Sequence, residues 1–499
     1  MLDLIQWRAR QNPDRPALFF NGHWHSYAEI NARATRLANR LRELGIQAGD
    51  RVGILALNHP AHFDLMLAAP KLGYIYLPLN HRLSTTELGQ LVAQTEPRLL
   101  LADARHQAAA EALGLPVLPL ADYGDWLAEG SEQPLPAPAL DENSTWMILF
   151  TGGSTGPAKG AMLPYRQVLL NARITAETWQ LGAQDCAVQC TPCFHAAVNV
   201  LSTPLLYCGG RVVLMPAFDA DEYLGHIGLH RATVLFMVPT MYQMLIDFED
   251  FDEADLSSVR WAISGGAPCP EPVRQAFVER GVRFKQGYGM TEAGVNCFSI
   301  ELDEADLKPD SIGRPMPSME AVIRGPDGQP VASGAVGELT LRGPMLFSGY
   351  WRQPEETALA LRQGWLWTGD LASEGSDGHY RIAGRRKEMY ISGGENIYPA
   401  EIEAALYRCE GVLECAVTGL SDPRWGEQGL AAVVLQEGVQ RDGESLRQEL
   451  RAHLAAYKLP KWFYFLRALP KTGAGKIDKT ELRRLYEHRE AGNSSAPTP

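Results

Sequence analysis

A glycine-rich segment at residues 151–160 carries the first side chains whose types and spacing could do chemistry. It follows the apolar run at residues 145–150 and contains four glycines, three hydroxyl residues and one lysine. Glycines let backbone N–H groups come close to phosphate oxygens, and Lys159 adds positive charge. The segment lacks the Gly-Lys-Ser/Thr of a Walker A loop, and a merely flexible glycine loop is the alternative. The predicted phosphate contacts are Thr151, Gly152, Gly153, Ser154, Thr155, Gly156 and Lys159.

Five further segments follow in a characteristic order: SGGAP at 264–268, GYGMTE at 287–292, TGD at 368–370, GRRKEMYISGGENIYP at 384–399 and PKTGAGK at 470–476. Together with residues 151–160 they resemble the motifs of the adenylate-forming superfamily, which includes acyl-CoA synthetases, firefly luciferase and the adenylation domains of peptide synthetases. The resemblance covers almost the whole chain, and within the superfamily the chain resembles bacterial fatty-acyl-CoA synthetases. Residues 152, 154 and 157–158 depart from the usual SGTTGxPKG, but most hydrogen-bond donors survive.

The resemblance assigns roles in ATP binding to several of these residues. It implies that Tyr288 stacks on adenine, that Thr291 contacts the α-phosphate and that Glu292 binds Mg²⁺. A carboxylate suits this ion because hard cations prefer oxygen ligands. Asp370 is expected to hold the ribose hydroxyls with the help of Arg385. The other residues expected around the nucleotide are Gly266, Ala267, Pro268, Gly287 and Gly289.

The resemblance also implies a mobile C-terminal domain with two working faces. Lys476 matches the catalytic lysine, which would neutralise the repulsion between a carboxylate and the α-phosphate. Lys387 matches the hinge about which the domain turns between two half-reactions. The second face would carry Ser392, Gly393 and Gly394, whose small side chains leave room for the pantetheine arm of coenzyme A.

The acid is expected to bind beside residues 192–206, where the superfamily places a Phe-His element. His195 is interpreted as a wall or gate of the acyl pocket, with Val198 and Asn199 as neighbours, and a buried structural histidine is the alternative. Small apolar residues dominate this run, and no cation is placed for a second carboxylate. We therefore expect a hydrophobic monocarboxylic acid, aliphatic before aromatic.

The elements that must position these residues alternate between helix and strand. Residues 26–29 form a capping box that opens a helix, and buried strands are expected at 51–56, 145–150, 234–238 and 261–263. This alternation predicts an α/β fold of layered sheets, followed by a β-rich subdomain at about 311–380 and a small α+β domain. The predicted boundaries are an N-terminal adenylate-forming domain at 1–386, a C-terminal domain at 387–488 and a disordered tail at 489–499.

Composition narrows the classes of function. The formal net charge of −13 argues against a nucleic-acid partner. No basic and apolar leader begins the chain, and the longest uncharged stretch, 186–210, is interrupted by prolines and polar residues. A cytoplasmic protein without a membrane segment is expected, either monomeric or homodimeric. Cys190 and Cys193 form a lone CxxC, which favours buried free thiols over zinc or redox chemistry.

The predicted enzyme is an acyl-CoA synthetase, an AMP-forming acid–thiol ligase that uses ATP, Mg²⁺ and coenzyme A. Two alternatives share the adenylate intermediate: a ligase that loads a carrier protein, and a luciferase-like oxygenase. A non-catalytic binding protein of the same fold is disfavoured because Glu292, Asp370, Arg385 and Lys476 are all retained.

Overall fold

The computed structural model describes residues 2–151, 158–393, 395–472 and 477–494, with side chains to residue 489. Helices and strands alternate along most of this chain, as the hydrophobic pattern predicts. The α-helices are α1 Leu4–Gln11, α2 Tyr27–Glu43, α3 Pro60–Leu72, α4 Thr85–Thr95, α5 Gln107–Glu111, α6 Leu120–Ala128, α7 Tyr165–Thr178, α8 Ser202–Cys208, α9 Ala220–His230, α10 Pro239–Ile246, α11 Glu271–Glu279, α12 Leu302–Leu307, α13 Pro354–Ala360, α14 Pro399–Leu406, α15 Gly443–Leu450 and α16 Lys479–Ser494. Short 3₁₀ helices are Ala196–Asn199, Thr291–Ala293 and Ala456–Lys458.

The strands of the first half of the chain are β1 Pro16–Phe20, β2 His23–Ser26, β3 Arg51–Leu55, β4 Ile75–Pro78, β5 Leu99–Ala102, β6 Val117–Pro119, β7 Thr145–Thr151, β8 Lys159–Pro164, β9 Cys186–Gln189, β10 Arg211–Leu214, β11 Val234–Met237 and β12 Trp261–Ser264. The later strands are β13 Arg283–Gln286, β14 Phe298–Ser299, β15 Arg314–Pro315, β16 Glu320–Arg324, β17 Val336–Arg342, β18 Leu361–Arg362, β19 Trp365–Glu374, β20 Tyr380–Arg385, β21 Tyr390–Ser392, β22 Glu395–Ile397, β23 Val412–Asp422, β24 Gly426–Leu435 and β25 Trp462–Phe465.

The chain divides into two compact units. The first contains residues 1–267, 276–321 and 341–367, and the second contains 268–275, 322–340 and 368–499. This division does not coincide with a boundary at Lys387, so the hinge stays a prediction. α16 continues to Ser494, past the expected start of the tail at 489, and residues 495–499 lie outside the described chain.

Three sheets of the first unit carry its α/β layers. Their strand orders are β6–β5–β3–β4–β7–β8, β2–β1–β10–β9 and β11–β12–β13. The pairs β3–β4, β3–β5, β4–β7, β9–β10, β11–β12 and β12–β13 are parallel. The predicted strands at 51–56, 145–150, 234–238 and 261–263 are therefore confirmed. Strands of this kind are apolar throughout, because helical crossovers bury both of their faces.

The predicted β-rich stretch and the small C-terminal domain are also seen. Strands between residues 320 and 385 form a five-stranded sheet in the order β16–β17–β19–β18, with β20 paired to β19. The second unit contains another five-stranded sheet, β22–β21–β24–β23 with β25 beside β24. Its core includes the fully buried side chains Ile397, Ile402, Leu406, Val417, Val433 and Leu446.

One strand that leads to the GYGMTE motif contains a buried lysine. Lys285 on β13 is 4% exposed, and its Nζ lies 4.3 Å and 4.4 Å from the ring centres of Trp179 and Trp261. Burial lowers the pKa of Lys285 to about 7, although the two rings favour the charged form.

We expect Lys285 to make stability depend on pH. Between its folded pKa and its higher unfolded value, the unfolded chain binds the extra proton, so the free energy of unfolding rises with pH by at most about 1.4 kcal/mol per unit. Relative to Lys285→Met, which has no such proton, the melting temperature of the native protein should rise from pH 7 towards about pH 9. If the melting temperatures of the two proteins changed with pH in the same way across that range, the assignment would be contradicted.

Candidate active site

The two ends of the glycine-rich segment are held together by a strand pair. β7 and β8 are antiparallel, with Thr151 opposite Lys159 at the end of the ladder. The Thr151 hydroxyl also donates to the Lys159 carbonyl at 3.4 Å. The intervening candidates Gly152, Gly153, Ser154, Thr155 and Gly156 lie outside the described residues. Thr151 and Lys159 therefore face each other where the glycine-rich segment begins and ends, and its contact with phosphate stays a prediction.

The Lys159 ammonium has two neighbours in the first unit that sequence reasoning missed. It forms an ion pair with Glu356 on α13. It also lies 5.2 Å from the centre of the Tyr350 ring. The two charged side chains are 34% and 42% exposed, so solvent screens the pair. Lys159 is therefore held by weak interactions that an anionic ligand can displace.

Glu292 is the buried carboxylate of this site. It lies on the 3₁₀ helix Thr291–Ala293 and is 6% exposed. Its Oε1 accepts a hydrogen bond from the Tyr350 hydroxyl at 3.0 Å. Burial, followed by the charge of Glu292, raises the pKa of Tyr350 well above its ordinary value, so this hydroxyl stays a neutral donor.

The surroundings of Glu292 fit a bound cation. Within the described ranges, no lysine or arginine forms an ion pair with this carboxylate. A buried charge without a counter-ion is costly, and a hard divalent cation that takes carboxylate and phosphate oxygens would compensate it. The donor set therefore suits Mg²⁺ at Glu292.

The backbone beside Glu292 is fixed from two directions. Gln167 on α7 is 1% exposed, and its Nε2 donates to the Thr291 carbonyl at 2.8 Å. The Phe347 amide donates to the Glu292 carbonyl at 2.8 Å. These contacts orient the side chains of Thr291 and Glu292. Gln167 has no signal in the sequence, because a buried glutamine on an amphipathic helix resembles any packed residue.

The two segments predicted around adenine leave neighbouring strands at the same edge of a sheet. β12 and β13 are parallel, with Ser264 opposite Gln286, so both loops start at carboxyl ends of strands. Gln286 Nε2 donates to the carbonyls of Ala267 and Gly287 at 3.2 Å and 3.0 Å. The structure thus brings together Gly266 and Ala267 with Gly287, and Pro268 follows directly in the chain.

Tyr288 and Gly289 show why the GYG sequence is needed locally. The Tyr288 ring meets Phe298 edge-on at 5.6 Å between centres. A Cβ atom at Gly289 would lie 1.8 Å from the Val295 carbonyl oxygen, so no other residue fits there. The backbone of Gly289 is therefore packed tightly against that of Val295. Stacking of Tyr288 on a base stays a prediction.

The second unit contains the predicted ribose-binding pair. Asp370 on β19 and Arg385 on β20 are cross-strand partners. Arg385 Nε lies 3.1 Å from Asp370 Oδ1, and the aspartate side chain is 8% exposed. The guanidinium stabilises an ionised carboxylate, whose remaining lone pairs suit hydroxyl donors. The predicted pair is therefore assembled, whereas its contact with ribose is untested.

The hinge candidate Lys387 lies in a turn between β20 and β21. The Glu388 amide donates to the Arg385 carbonyl across this turn at 2.9 Å. The adjacent Glu388 pairs with the half-buried Lys479 ammonium at 3.1 Å, and Lys479 also pairs with Glu403 at 2.7 Å. Glu388 replaces the usual aspartate, and this ion-pair network gives its longer side chain a structural function. The chain after Lys387 is thus anchored within the second unit.

The predicted coenzyme A segment is only partly described. Ser392 is 9% exposed, and its strand neighbour is Gly426. Gly393 has a φ of +60°, and a Cβ atom there would lie 2.8 Å from the Trp425 ring. The small residue at 393 is thus required by its own turn. Gly394 and the catalytic candidate Lys476 lie outside the described residues.

The acyl-pocket candidates form one short segment of the first unit. His195 precedes the 3₁₀ helix Ala196–Asn199, and its ring lies 4.3 Å from that of Phe194. Val198 is 5% exposed. The Asn199 amide oxygen accepts from the Thr203 hydroxyl at 2.7 Å. Asn199 therefore stabilises the local fold, and contact of His195, Val198 or Asn199 with an acid stays a prediction.

Cys190 and Cys193 are buried free thiols, as predicted. Burial raises the pKa of Cys190 to about 12 and that of Cys193 further, so neither forms a reactive thiolate near neutral pH. Both thiols therefore remain protonated and pack as apolar groups in the first unit.

Comparison with known proteins identifies the class that this fold and site define. The family model for AMP-binding enzymes matches residues 5–351, and the model for the AMP-binding enzyme C-terminal domain matches residues 401–476. The chain belongs to the AMP-binding enzyme family. The superfamily and the α/β fold predicted from the motifs are thereby confirmed, and the chain is an adenylate-forming ligase.

Individual relatives match over nearly their whole length. A feruloyl-CoA synthase from Amycolatopsis sp is 40% identical over 481 residues, covering 96% of this chain and 97% of that protein. An indoleacetate–CoA ligase from Aromatoleum aromaticum is 35% identical, covering 97% and 98%. The ATP-bound crystal structure of MatB from Rhodopseudomonas palustris superposes with a TM-score of 0.90 at 32% identity, covering 97% of this chain and 99% of that one.

Membrane insertion through a helix finds no support in the described chain. None of its helices combines the length and the apolar composition that a transmembrane span requires.

Proposed function

We propose that this protein is an ATP-dependent acid–coenzyme A ligase with two half-reactions. In the first, a carboxylate oxygen attacks the α-phosphate of ATP, so that acyl-AMP forms and pyrophosphate leaves. In the second, the thiol of coenzyme A attacks the acyl carbonyl and AMP leaves. Rotation of the C-terminal domain about Lys387 between these steps is part of the proposal and rests on resemblance.

The single observation that carries the proposal is the arrangement around Glu292. A buried carboxylate without a cationic partner among the described residues lies beside Tyr350, whose ring adjoins the ammonium of the phosphate-loop lysine, Lys159. Mg²⁺ bound there would neutralise phosphate charge. Thr291, fixed through Gln167, would donate to the α-phosphate, and Asp370 with Arg385 would accept and orient the ribose hydroxyls. Lys476 would neutralise charge between the two anions as they meet.

For the acid we propose a hydrophobic monocarboxylic acid, and the comparisons shift the order to aromatic before aliphatic. The two most similar relatives described above carry names for aromatic acids, feruloyl and indoleacetate. The small, buried side chains of Ala196, Val198 and Val200 support a hydrophobic acid of either kind. Fatty acids remain the alternative that the resemblance in sequence first suggested.

A substrate panel tests this proposal. Pyrophosphate release should be measured with ATP, Mg²⁺ and coenzyme A against hydroxycinnamic, arylacetic, medium-chain and long-chain acids, with a dicarboxylic acid and an amino acid as controls. We expect an aromatic monocarboxylic acid to give the highest kcat/KM. A long-chain fatty acid as the best substrate would restore the first order, and a dicarboxylic or amino acid would refute the proposal.

Coenzyme A is proposed as the acceptor rather than a carrier protein or oxygen. The feruloyl-CoA synthase and the indoleacetate–CoA ligase described above both carry coenzyme A in their names, which supports this acceptor. The cytoplasmic location stays a prediction, and so does the possible homodimer.

The ion pair between Lys159 and Glu356 predicts a change in ATP affinity. Because Glu356 competes with phosphate for the Lys159 ammonium, Glu356→Gln should lower the KM for ATP. The pair is partly exposed and so contributes at most about 1 kcal/mol, which limits the decrease to about fivefold. Initial rates at varied ATP and saturating acid measure this.

Glu355→Gln is the matched control for this prediction. Glu355 is exposed and lies beside Glu356 in the first turn of α13, so its removal changes the net charge and the helix terminus equally. Its KM for ATP should match the native enzyme. A KM that is unchanged or raised in Glu356→Gln would mean that Glu356 does not oppose ATP binding.

A further inference from the structure

Two histidines and a glutamate lie together at the start of α2, in a part of the first unit that the ligase reaction does not use. Their ligand atoms, one from each of His23, His25 and Glu29, all lie within 4.8 Å of one another. The imidazole rings of the two histidines are 4.6 Å apart between centres and nearly perpendicular. Nothing in the proposed reaction explains this grouping.

The backbone holds the two histidines on one face of a strand. β2 pairs antiparallel with β1, with His23 opposite Phe20 and His25 opposite Leu18. Side chains two residues apart on a strand point to the same side. The intervening Trp24 turns to the other side and contacts Phe19. The spacing of the two imidazoles is therefore set by a paired strand.

The carboxylate is fixed by the cap of the following helix. Glu29 is the third residue of α2, and its Oε2 accepts from the Ser26 amide at 2.6 Å while Ser26 Oγ accepts from the Glu29 amide at 3.2 Å. This reciprocal capping box restrains the side chain of Glu29 beside the two rings. One carboxylate oxygen of Glu29 lies within 4.8 Å of a ring nitrogen of each histidine.

The positive charge of Arg33 is partly compensated. Arg33 lies one turn further along α2, where it would oppose a cation. Its guanidinium makes a bidentate pair with Asp64, with Nε and Nη2 at 3.0 Å and 2.6 Å from the two carboxylate oxygens. The Asp64 carboxylate therefore offsets part of the field of Arg33 at His25.

We propose that His23, His25 and Glu29 form a binding site for a first-row divalent transition metal, such as Zn²⁺, Ni²⁺ or Co²⁺. Two imidazoles and one carboxylate are the ligands these ions prefer, whereas Mg²⁺ favours oxygen alone. Three protein ligands leave positions for water. A bound ion would link the edge strand β2 to the first turn of α2 and thereby stabilise this corner of the first unit.

The test is calorimetric titration of the full-length protein with NiCl₂, after chelator treatment and in excess MgCl₂ to occupy sites that prefer oxygen. We expect one saturable site in the native protein. His23→Gln and His25→Gln should each weaken it by more than about tenfold, since even outer partners of metal ligands contribute that much. Glu29→Gln should weaken it too, although glutamine still completes the capping box.

His453→Gln serves as the control, because His453 is exposed and lies in the second unit. It should leave the titration unchanged, and the native melting temperature should rise with NiCl₂ only while His23 and His25 are present. The proposal is overturned if the native protein shows no saturable binding under these conditions, or if both histidine variants bind NiCl₂ as the native protein does.

Discussion

Lys476→Ala should lower the rate of acyl-AMP formation by about 10²-fold or more, as expected for loss of a preorganised charge-stabilising group. Resemblance places this lysine between the carboxylate and the α-phosphate, where two anions must approach each other. The same variant should convert supplied acyl-AMP and coenzyme A to thioester at nearly the native rate, because Lys476 takes no part in that step. ATP–pyrophosphate exchange and thioester release from synthetic adenylate measure the two half-reactions on one preparation.

Lys471→Ala provides the matched control for Lys476→Ala. Lys471 belongs to the same PKTGAGK segment, and its ammonium pairs with Glu414 at 2.9 Å on the surface of the second unit. Substitutions at such exposed pairs have small effects. Exchange should stay near the native rate in this variant. Equal exchange rates in the two variants would leave Lys476 as an ordinary surface residue.

Lys387→Pro should have the opposite effect to Lys476→Ala, in that thioester formation is impaired and adenylate formation is kept. Proline fixes φ and removes the amide donor, so the turn between β20 and β21 could not change conformation freely. Adenylate formation should survive, whereas thioester formation should slow by about tenfold or more, equivalent to at least ~1.4 kcal/mol on its barrier. Single-turnover assays of each step report the two rates.

Lys387→Ala is the control that separates backbone from side chain. It removes the ammonium and keeps a flexible φ, so both half-reactions should remain close to native if the residue acts as a hinge. Equal loss of both half-reactions in Lys387→Pro would refute the hinge assignment. Loss of thioester formation in Lys387→Ala as well would assign the effect to the side chain.

Local patterns in the sequence predicted those features that depend on neighbouring residues. The capping box at Ser26 is formed as expected, because its two partners are three residues apart. The buried strand expected at 51–56 forms β3, Arg51–Leu55, which pairs in parallel with β4 and β5. Asp370 and Arg385, which the family resemblance associates with each other, are cross-strand partners on β19 and β20.

The surroundings of the phosphate-loop lysine and the magnesium candidate could not be predicted in this way. Tyr350 lies 58 residues after Glu292, and Glu356 lies 197 residues after Lys159. Neither spacing has a local period, so only the tertiary fold brings these partners together. The His23–His25–Glu29 cluster was missed for a different reason: its residues are close in sequence, but the two histidines resemble ordinary polar positions of an edge strand.

The most direct test of the account is product analysis of one reaction in two stages. The protein should first be incubated with ATP, Mg²⁺ and the best acid of the panel, and coenzyme A should then be added, with nucleotides and acyl products followed by liquid chromatography and mass spectrometry. We predict acyl-AMP and pyrophosphate in the first stage, and acyl-coenzyme A with an equal amount of AMP in the second. Formation of ADP and phosphate, or an adenylate that coenzyme A does not consume, would contradict the central claim that this chain is an acid–coenzyme A ligase.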